Sequence, residues 1–203
     1  MASPIDIPSS DTSFLSKSPI LSYGKLSVVK SEESTGVPLQ TPWTLWLDKT
    51  VRGCSASEYE SGLQKIYTFS TIQGFWAVYN NVPDVKDIQT RCSYHLMRDE
   101  RRPVWEESYN KSGGAWRFRC SKQDTSKVWR ELVLAAIGEQ FSESLDPDDE
   151  VCGLTVSVKE KFDIVQLWNI NAQLEQKATV IYKVFRLLPD VDFAEPLYKR
   201  EFS

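Results

Sequence analysis

Apolar positions along this chain follow two rhythms, one of about two residues and one of about 3.6, and the switches between them divide it into strands and helices. The run from Trp43 to Leu47 gathers aromatic and aliphatic side chains and predicts a strand, with order beginning near Val37-Pro38-Leu39. From Ser70 the period changes. Ile72, Phe75, Trp76 and Tyr79 fall at i, i+3, i+4 and i+7, with Ser70 or Thr71 placed as N-cap, so a short amphipathic helix is expected. A second helix starts near Thr125 and Ser126 and runs through Val128, Trp129, Leu132, Ala136 and Ile137 towards Phe141. Gly138 inside it would cost about 1 kcal/mol relative to Ala, which predicts close approach of another backbone. Leu174, Ala178, Ile181, Phe185 and Leu188 mark a third helix, ended by Pro189.

Between the helices the period is two. Cys92, Tyr94 and Leu96 alternate with Ser93, His95 and Met97, and Trp116, Phe118 and Cys120 alternate with Arg117 and Arg119. Each strand offers one core face and one wetter face. Val151 to Trp168 reads as a hairpin with its turn at Lys159 to Asp163, and Ile164, Gln166 and Trp168 share the face turned from the helices. Hairpin-grouped strands with three separated helices predict an α+β fold, a mainly antiparallel sheet carrying helices on one side. The other side is then free for a ligand.

Residues 1–36 break the pattern. They hold ten serines and no tryptophan and sustain neither period, so they are expected to form a disordered tail ahead of one domain at 37–203. A chain of 203 residues suffices for a single core without staples. Its 24 Lys and Arg against 28 Asp and Glu give a net charge of -4, so any nucleic-acid contact must come from a local basic patch.

Cys54, Cys92, Cys120 and Cys152 are too widely spaced for Cys-x-x-Cys pairing, and the single histidine, His95, cannot complete a zinc site. They are expected to be free thiols, with no metal and no cofactor. Met1 to Ser10 lacks a basic leader and an apolar core, and no long apolar run follows, so a cytoplasmic protein without membrane contact is expected. There is no Gly-rich phosphate loop and no Ser or Cys nucleophile motif, His95 reads as a strand histidine on a polar face, and the acidic runs Glu106-Glu107 and Asp148-Asp149-Glu150 read as solvated. The chain is therefore not expected to be an enzyme. Seven tryptophans, which suit both cores and base-stacking platforms, are the unusual entry in its composition.

Several short runs occur in one order: Trp43-Thr44-Leu45-Trp46, Phe75-Trp76-Ala77-Val78-Tyr79-Asn80, Pro103-Val104-Trp105-Glu106-Glu107, Asn110-Lys111, Gly113-Gly114-Ala115-Trp116, Ile137-Gly138-Glu139-Gln140-Phe141 and Val151-Cys152-Gly153. Together they resemble the eukaryotic translation initiation factor 4E family, over residues 37–188 or about three quarters of the chain. Cys92-Ser93-Tyr94-His95-Leu96-Met97 and Glu100-Arg101-Arg102-Pro103 resemble its third class. The resemblance implies a curved sheet with three helices on its convex face and, on the concave side, a slot for the 7-methylguanosine cap of mRNA.

By that resemblance Trp105 stacks on the base, Glu106 reads its Watson–Crick edge and Trp168 lies against the methyl group. Tyr59 falls where most of the family places a second stacking tryptophan, with Leu63 and Ile66 in register. The family's basic positions fall on Ala115, Lys159, Lys161 and Ile164, which leaves two cations and implies a weakened hold on the phosphates. The convex side implies a second surface, for partners that dock as a helix carrying a tyrosine and a leucine pair. Pro38, Ile72, Trp76, Glu131 and Gly138 match it, whereas Val37 and Arg130 stand where the family has histidine and leucine. Those two changes favour the large initiation scaffold protein over small repressor peptides. The chain is expected to be a monomer. Two other roles share the resemblance: an interaction protein that has lost cap recognition, and a cap-binding repressor.

Overall fold

In the computed structural model, which describes residues 21–49 and 62–200, strand alternation sorts side chains into two layers. The strands are β1 (Pro38–Lys49), β2 (Gln64–Thr71), β3 (Cys92–Arg98), β4 (Gly114–Cys120), β5 (Val151–Val158), β6 (Asp163–Asn169) and β7 (Leu197–Arg200). They form one open, curved sheet in the order β2-β1-β3-β5-β6-β4-β7, and each neighbouring pair is antiparallel. This is the expected α+β arrangement. The short edge strand β7 has no signal in the hydrophobic pattern.

Trp43, Leu45, Leu47, Tyr94, Leu96, Leu154, Val156, Trp116, Phe118, Val165 and Leu167 face the helices and make the main core. Alternate residues make the opposite face, where Trp46, Met97, Ala115, Cys152 and Trp168 pack as a second, smaller cluster. Register carries these residues across the sheet. One row runs Thr44, Met97, Gly153, Trp168, Ala115 and Lys199, and the next runs Trp46, His95, Thr155, Gln166 and Arg117. Gly153 belongs there because a Cβ would lie 2.4 Å from Met97 Sδ.

Four helices lie among the described residues: α1 (Tyr23–Thr35), α2 (Ile72–Tyr79), α3 (Thr125–Ile137) and α4 (Val180–Leu187). For α2 the reading from periodicity holds, with Thr71 as N-cap accepting from Gly74 N at 3.0 Å. Helix α1 departs from the disordered tail expected over 1–36. It packs against α2 through the fully buried Val29, and Glu33 accepts from Ser70 N and Oγ at 2.5 Å each and from Thr71 Oγ1 at 3.1 Å. Tertiary contact holds this segment, whose apolar residues form no regular stripe.

Two further corrections concern helix ends. Gly138 is the C-cap of α3 and not an interior residue, and a Cβ there would meet only Leu134 O, at 3.0 Å. The left-handed turn falls on Glu139, with φ 54°. The third expected helix is divided: residues 172–177 form a 3-10 turn and α4 begins only at Val180. Its buried face is Val180, Val184 and Leu188, while Phe185 is exposed, so the apolar stripe is offset from the expected one.

Two buried polar groups tie the sheet together. Arg98 forks onto Glu139, Nη1 to Oε1 at 2.7 Å and Nη2 to Oε2 at 2.9 Å, donates to Thr41 Oγ1 at 2.7 Å and to Val151 O, and lies 4.6 Å from the Trp43 ring. His95, expected on a wet face, is buried: its Nδ1 is 2.8 Å from Thr155 Oγ1 and its Nε2 is 3.4 Å from Asp48 Oδ2. All of β3 is covered, so alternation there does not separate dry from wet. No helix among the described residues is long and apolar enough to cross a membrane.

Candidate functional site

Trp105 and Glu106 ride on the loop between β3 and β4, which is shaped by a few internal contacts. Buried Asn110 donates from Nδ2 to Arg102 O at 3.0 Å and to Val104 O at 2.7 Å. Tyr109 OH accepts from Arg102 N at 2.9 Å, Glu107 pairs with Arg102 at 3.1 Å, and Val104 is inserted as a buried peg. These contacts explain why an asparagine follows the Trp-Glu-Glu run at this spacing: its amide replaces hydrogen bonds that a tight loop cannot make to itself.

The loop delivers the Trp105 ring onto Trp168 of β6. The rings are parallel, with centroids 3.7 Å apart and planes 2° off. Trp168 is buried among Trp46, Met97, Ala115 and Cys152, whereas Trp105 is half-buried and Glu106 is exposed beside it. Two residues far apart in sequence thus make one π surface at the edge of the concave face. One face of Trp105 is covered by Trp168. A flat ligand reaches Trp105 on its other face, or after the rings part, and contact of Trp168 with a ligand methyl group requires the second.

Lys159 and Lys161 lie in the turn between β5 and β6. Lys159 N donates to Asp163 Oδ1 at 2.9 Å, which fixes the turn, and neither lysine makes an ion pair among the described residues. Ala115 pairs in register with Trp168, and Ile164 with Arg119. Arg117 and Arg119 therefore stand on the same concave face as Trp168. The alternation of Trp116, Phe118 and Cys120 with these arginines carried that signal, but only the register shows that they share a face with Trp168. Tyr59 lies outside the described residues.

On the convex side Val37, Ile72 and Trp76 are exposed apolar residues, and Pro38 is exposed beside them. Trp76 contacts Phe75 and Tyr79 edge-on at 4.9 and 5.8 Å. Gly138 is exposed, as is Arg130, whose guanidinium donates to Glu131 Oε1 at 3.1 and 3.2 Å. The charge at 130 is thus solvated and paired. Trp76 and Gln73 form one wall of a shallow groove, and Val28 and Glu32 of α1 form the other. Of the expected partner residues, Val37 and Ile72 lie at the two ends of one backbone hydrogen bond, Ile72 N to Val37 O at 2.9 Å.

The fold is thus an open antiparallel sheet with helices on one side and a paired-indole surface on the other. The profile of the family "Eukaryotic initiation factor 4E" matches residues 38–196, and the chain belongs to that family of translation initiation factors, which are not enzymes. It is 34% identical over 164 residues to eukaryotic translation initiation factor 4E-1 of Capsicum annuum, covering 81% of this chain and 70% of that one. It is also 34% identical over 153 residues to the Bos taurus factor 4E, covering 73% and 68%.

Among solved structures it is similar to C. elegans eIF4E-3 in complex with the 4E-binding protein Mextli and a cap analog. The TM-score is 0.70 at 30% identity, over 81% of this chain and 92% of that one. Ascaris suum eIF4E-3 with the m2,2,7G cap gives 0.70 at 27% identity, over 83% and 93%. Both neighbours agree with the third-class resemblance of the sequence.

Proposed function

We propose that this chain binds the 7-methylguanosine 5′ cap of mRNA at Trp105 and takes part in cytoplasmic translation initiation or its regulation. The observation that carries the reading is the half-buried Trp105, backed by Trp168 and followed by the exposed carboxylate of Glu106. A 7-methylguanine base carries a delocalised positive charge, so an electron-rich ring gains stacking plus a cation–π term of about 0.5 to 2 kcal/mol. Unmethylated guanine forfeits that term. Glu106 accepts from N1–H and the exocyclic amine together, a pattern that adenine does not offer. Once the rings part, Trp168 contacts the methyl group; Tyr59 is the second aromatic by the family resemblance, and Lys159 and Lys161 meet the phosphates. With Ala115 and Ile164 uncharged, the hold at the family's basic positions is weaker than that of a site with all four cations.

Retention on immobilised 7-methyl-GTP, with release by free cap and not by GTP, tests the assignment. Loss of one stacking ring is worth about 1 to 3 kcal/mol per base, so Trp105→Ala should bind 7-methyl-GTP at least roughly fivefold more weakly. Retention equal to that of the unaltered protein would overturn it.

The convex surface at Val37, Pro38, Ile72, Trp76, Arg130, Glu131 and Gly138 receives a helical partner segment, with the large initiation scaffold preferred over small repressors. The two neighbouring complexes with Mextli support a partner surface in this fold. A second reading, an interaction protein without cap recognition, is favoured by the uncharged Ala115 and Ile164. Passage through the 7-methyl-GTP resin without retention would select it.

A further inference from the structure

We infer that Arg117 and Arg119, together with Phe162, form a subsite for the RNA chain that leaves the slot. The inference rests on the reading that the slot takes the cap, and it assigns a function to residues outside the family's basic positions.

Register places the two arginines. Ala115 pairs with Trp168, Arg117 with Gln166 and Arg119 with Ile164, so one face of β4 leads from the indole pair outward. At a rise of about 3.4 Å per residue, Arg117 and Arg119 stand about 7 and 14 Å along the strand from Ala115. A phosphodiester chain starting at the slot would meet them in turn. Lys159 and Lys161 lie in the turn at the same end of the sheet, beside the Arg119–Ile164 pair.

The electrostatics point the same way. Arg91, Arg98, Arg101, Arg102 and Arg130 each face a carboxylate within 4.0 Å, whereas Arg117 and Arg119, like Arg186 and Arg200 elsewhere, face none among the described residues. In a chain of net charge -4, two arginines and two lysines without acidic partners at one end of one face are a local excess that attracts phosphate. Arg119 is also held in place: its guanidinium carbon lies 3.5 Å from the Phe162 ring centroid. A guanidinium held over a ring face in this way keeps donors free for a phosphate beside an aromatic stacking surface.

The test compares 7-methyl-GMP with a capped tetranucleotide, by tryptophan fluorescence, on the full chain and on the Arg117→Ala/Arg119→Ala double variant. The unaltered protein should bind the longer ligand more tightly. The variant should bind 7-methyl-GMP as before, which also reports a folded slot, but lose roughly tenfold for the tetranucleotide. Its log affinity should also fall less steeply with log salt, by about 1.4 for two lost single-strand phosphate contacts. Arg117→Lys/Arg119→Lys should keep the salt dependence and lose the stacking share. Equal affinity of the alanine variant for the tetranucleotide would overturn the subsite and leave the cap assignment standing. If neither protein preferred 7-methyl-GMP to GMP, the cap assignment would fall and the subsite with it.

Discussion

Trp76 offers the sharpest separation of a folding role from a binding role. Replacing a fully buried tryptophan by alanine costs about 3 to 5 kcal/mol. Trp76 is 36% exposed and keeps edge contacts with Phe75 and Tyr79, so about two thirds of that loss is expected, or about 2 to 3 kcal/mol. For a chain of this size each kcal/mol lowers Tm by about 2 to 4 °C, so Trp76→Ala should melt roughly 4 to 12 °C below the unaltered protein. It remains folded at room temperature. An aromatic anchor at the centre of a helix-docking surface is worth at least about 2 kcal/mol in binding, a loss of about thirtyfold or more. Thermal denaturation gives the first quantity, and calorimetric titration with a helical scaffold peptide carrying a tyrosine and a leucine pair gives the second. Affinity within threefold of the original, with a stability loss above about 4 kcal/mol, would show Trp76 to be core and refute the docking surface. Running a repressor peptide in parallel tests selectivity: tighter binding of the repressor would contradict the reading of Val37 and Arg130.

Two further outcomes follow from buried groups. Arg98→Ala strands the Glu139 carboxylate and Val151 O, so a loss of about 3 to 5 kcal/mol is expected in urea titrations, while Arg98→Lys, which keeps charge but not the fork, should lose less. Equal losses would mean that charge alone matters. Burial pushes the Cys152 thiol from 9.0 up to about 12, so the stability it contributes is complete below pH about 9 and is lost as pH rises from there towards 12. Midpoints measured across that range should fall less in Cys152→Ala than in the unaltered chain, and parallel curves would refute the linkage.

Strand alternation was legible because the sheet has one continuous core: Leu45, Tyr94, Trp116 and Val165 alternate cleanly into it. The pattern misled where both faces are covered. His95 reads as wet from its neighbours, yet Thr155 bonds its Nδ1 and Asp48 faces its Nε2 at 3.4 Å from adjacent strands, a neighbourhood visible only once register is known. Helix α1 was illegible for a different reason, since its order comes from Val29 and from Glu33 reaching the start of α2. In α4 the apolar but exposed Phe185 draws the periodicity away from the buried stripe of Val180, Val184 and Leu188. At the site, Trp105 and Trp168 came together through the resemblance; neither spacing nor composition links positions 63 residues apart. The arginines of β4 were visible as an alternating polar face, but their neighbourhood with the indoles required the pairing of β4 with β6.

Strand β1 supplies both sides of the sheet in turn, Trp43, Leu45 and Leu47 to the helices and Trp46 to the opposite cluster. Point substitutions can therefore tune one ligand surface while sparing the other, and duplicated genes are free to diverge in either property separately. A single-codon insertion within this strand has no such freedom. Unless a bulge such as the register shift between Leu45 and Trp46 absorbs it, it inverts every later side chain up to the next bend and damages both surfaces at once.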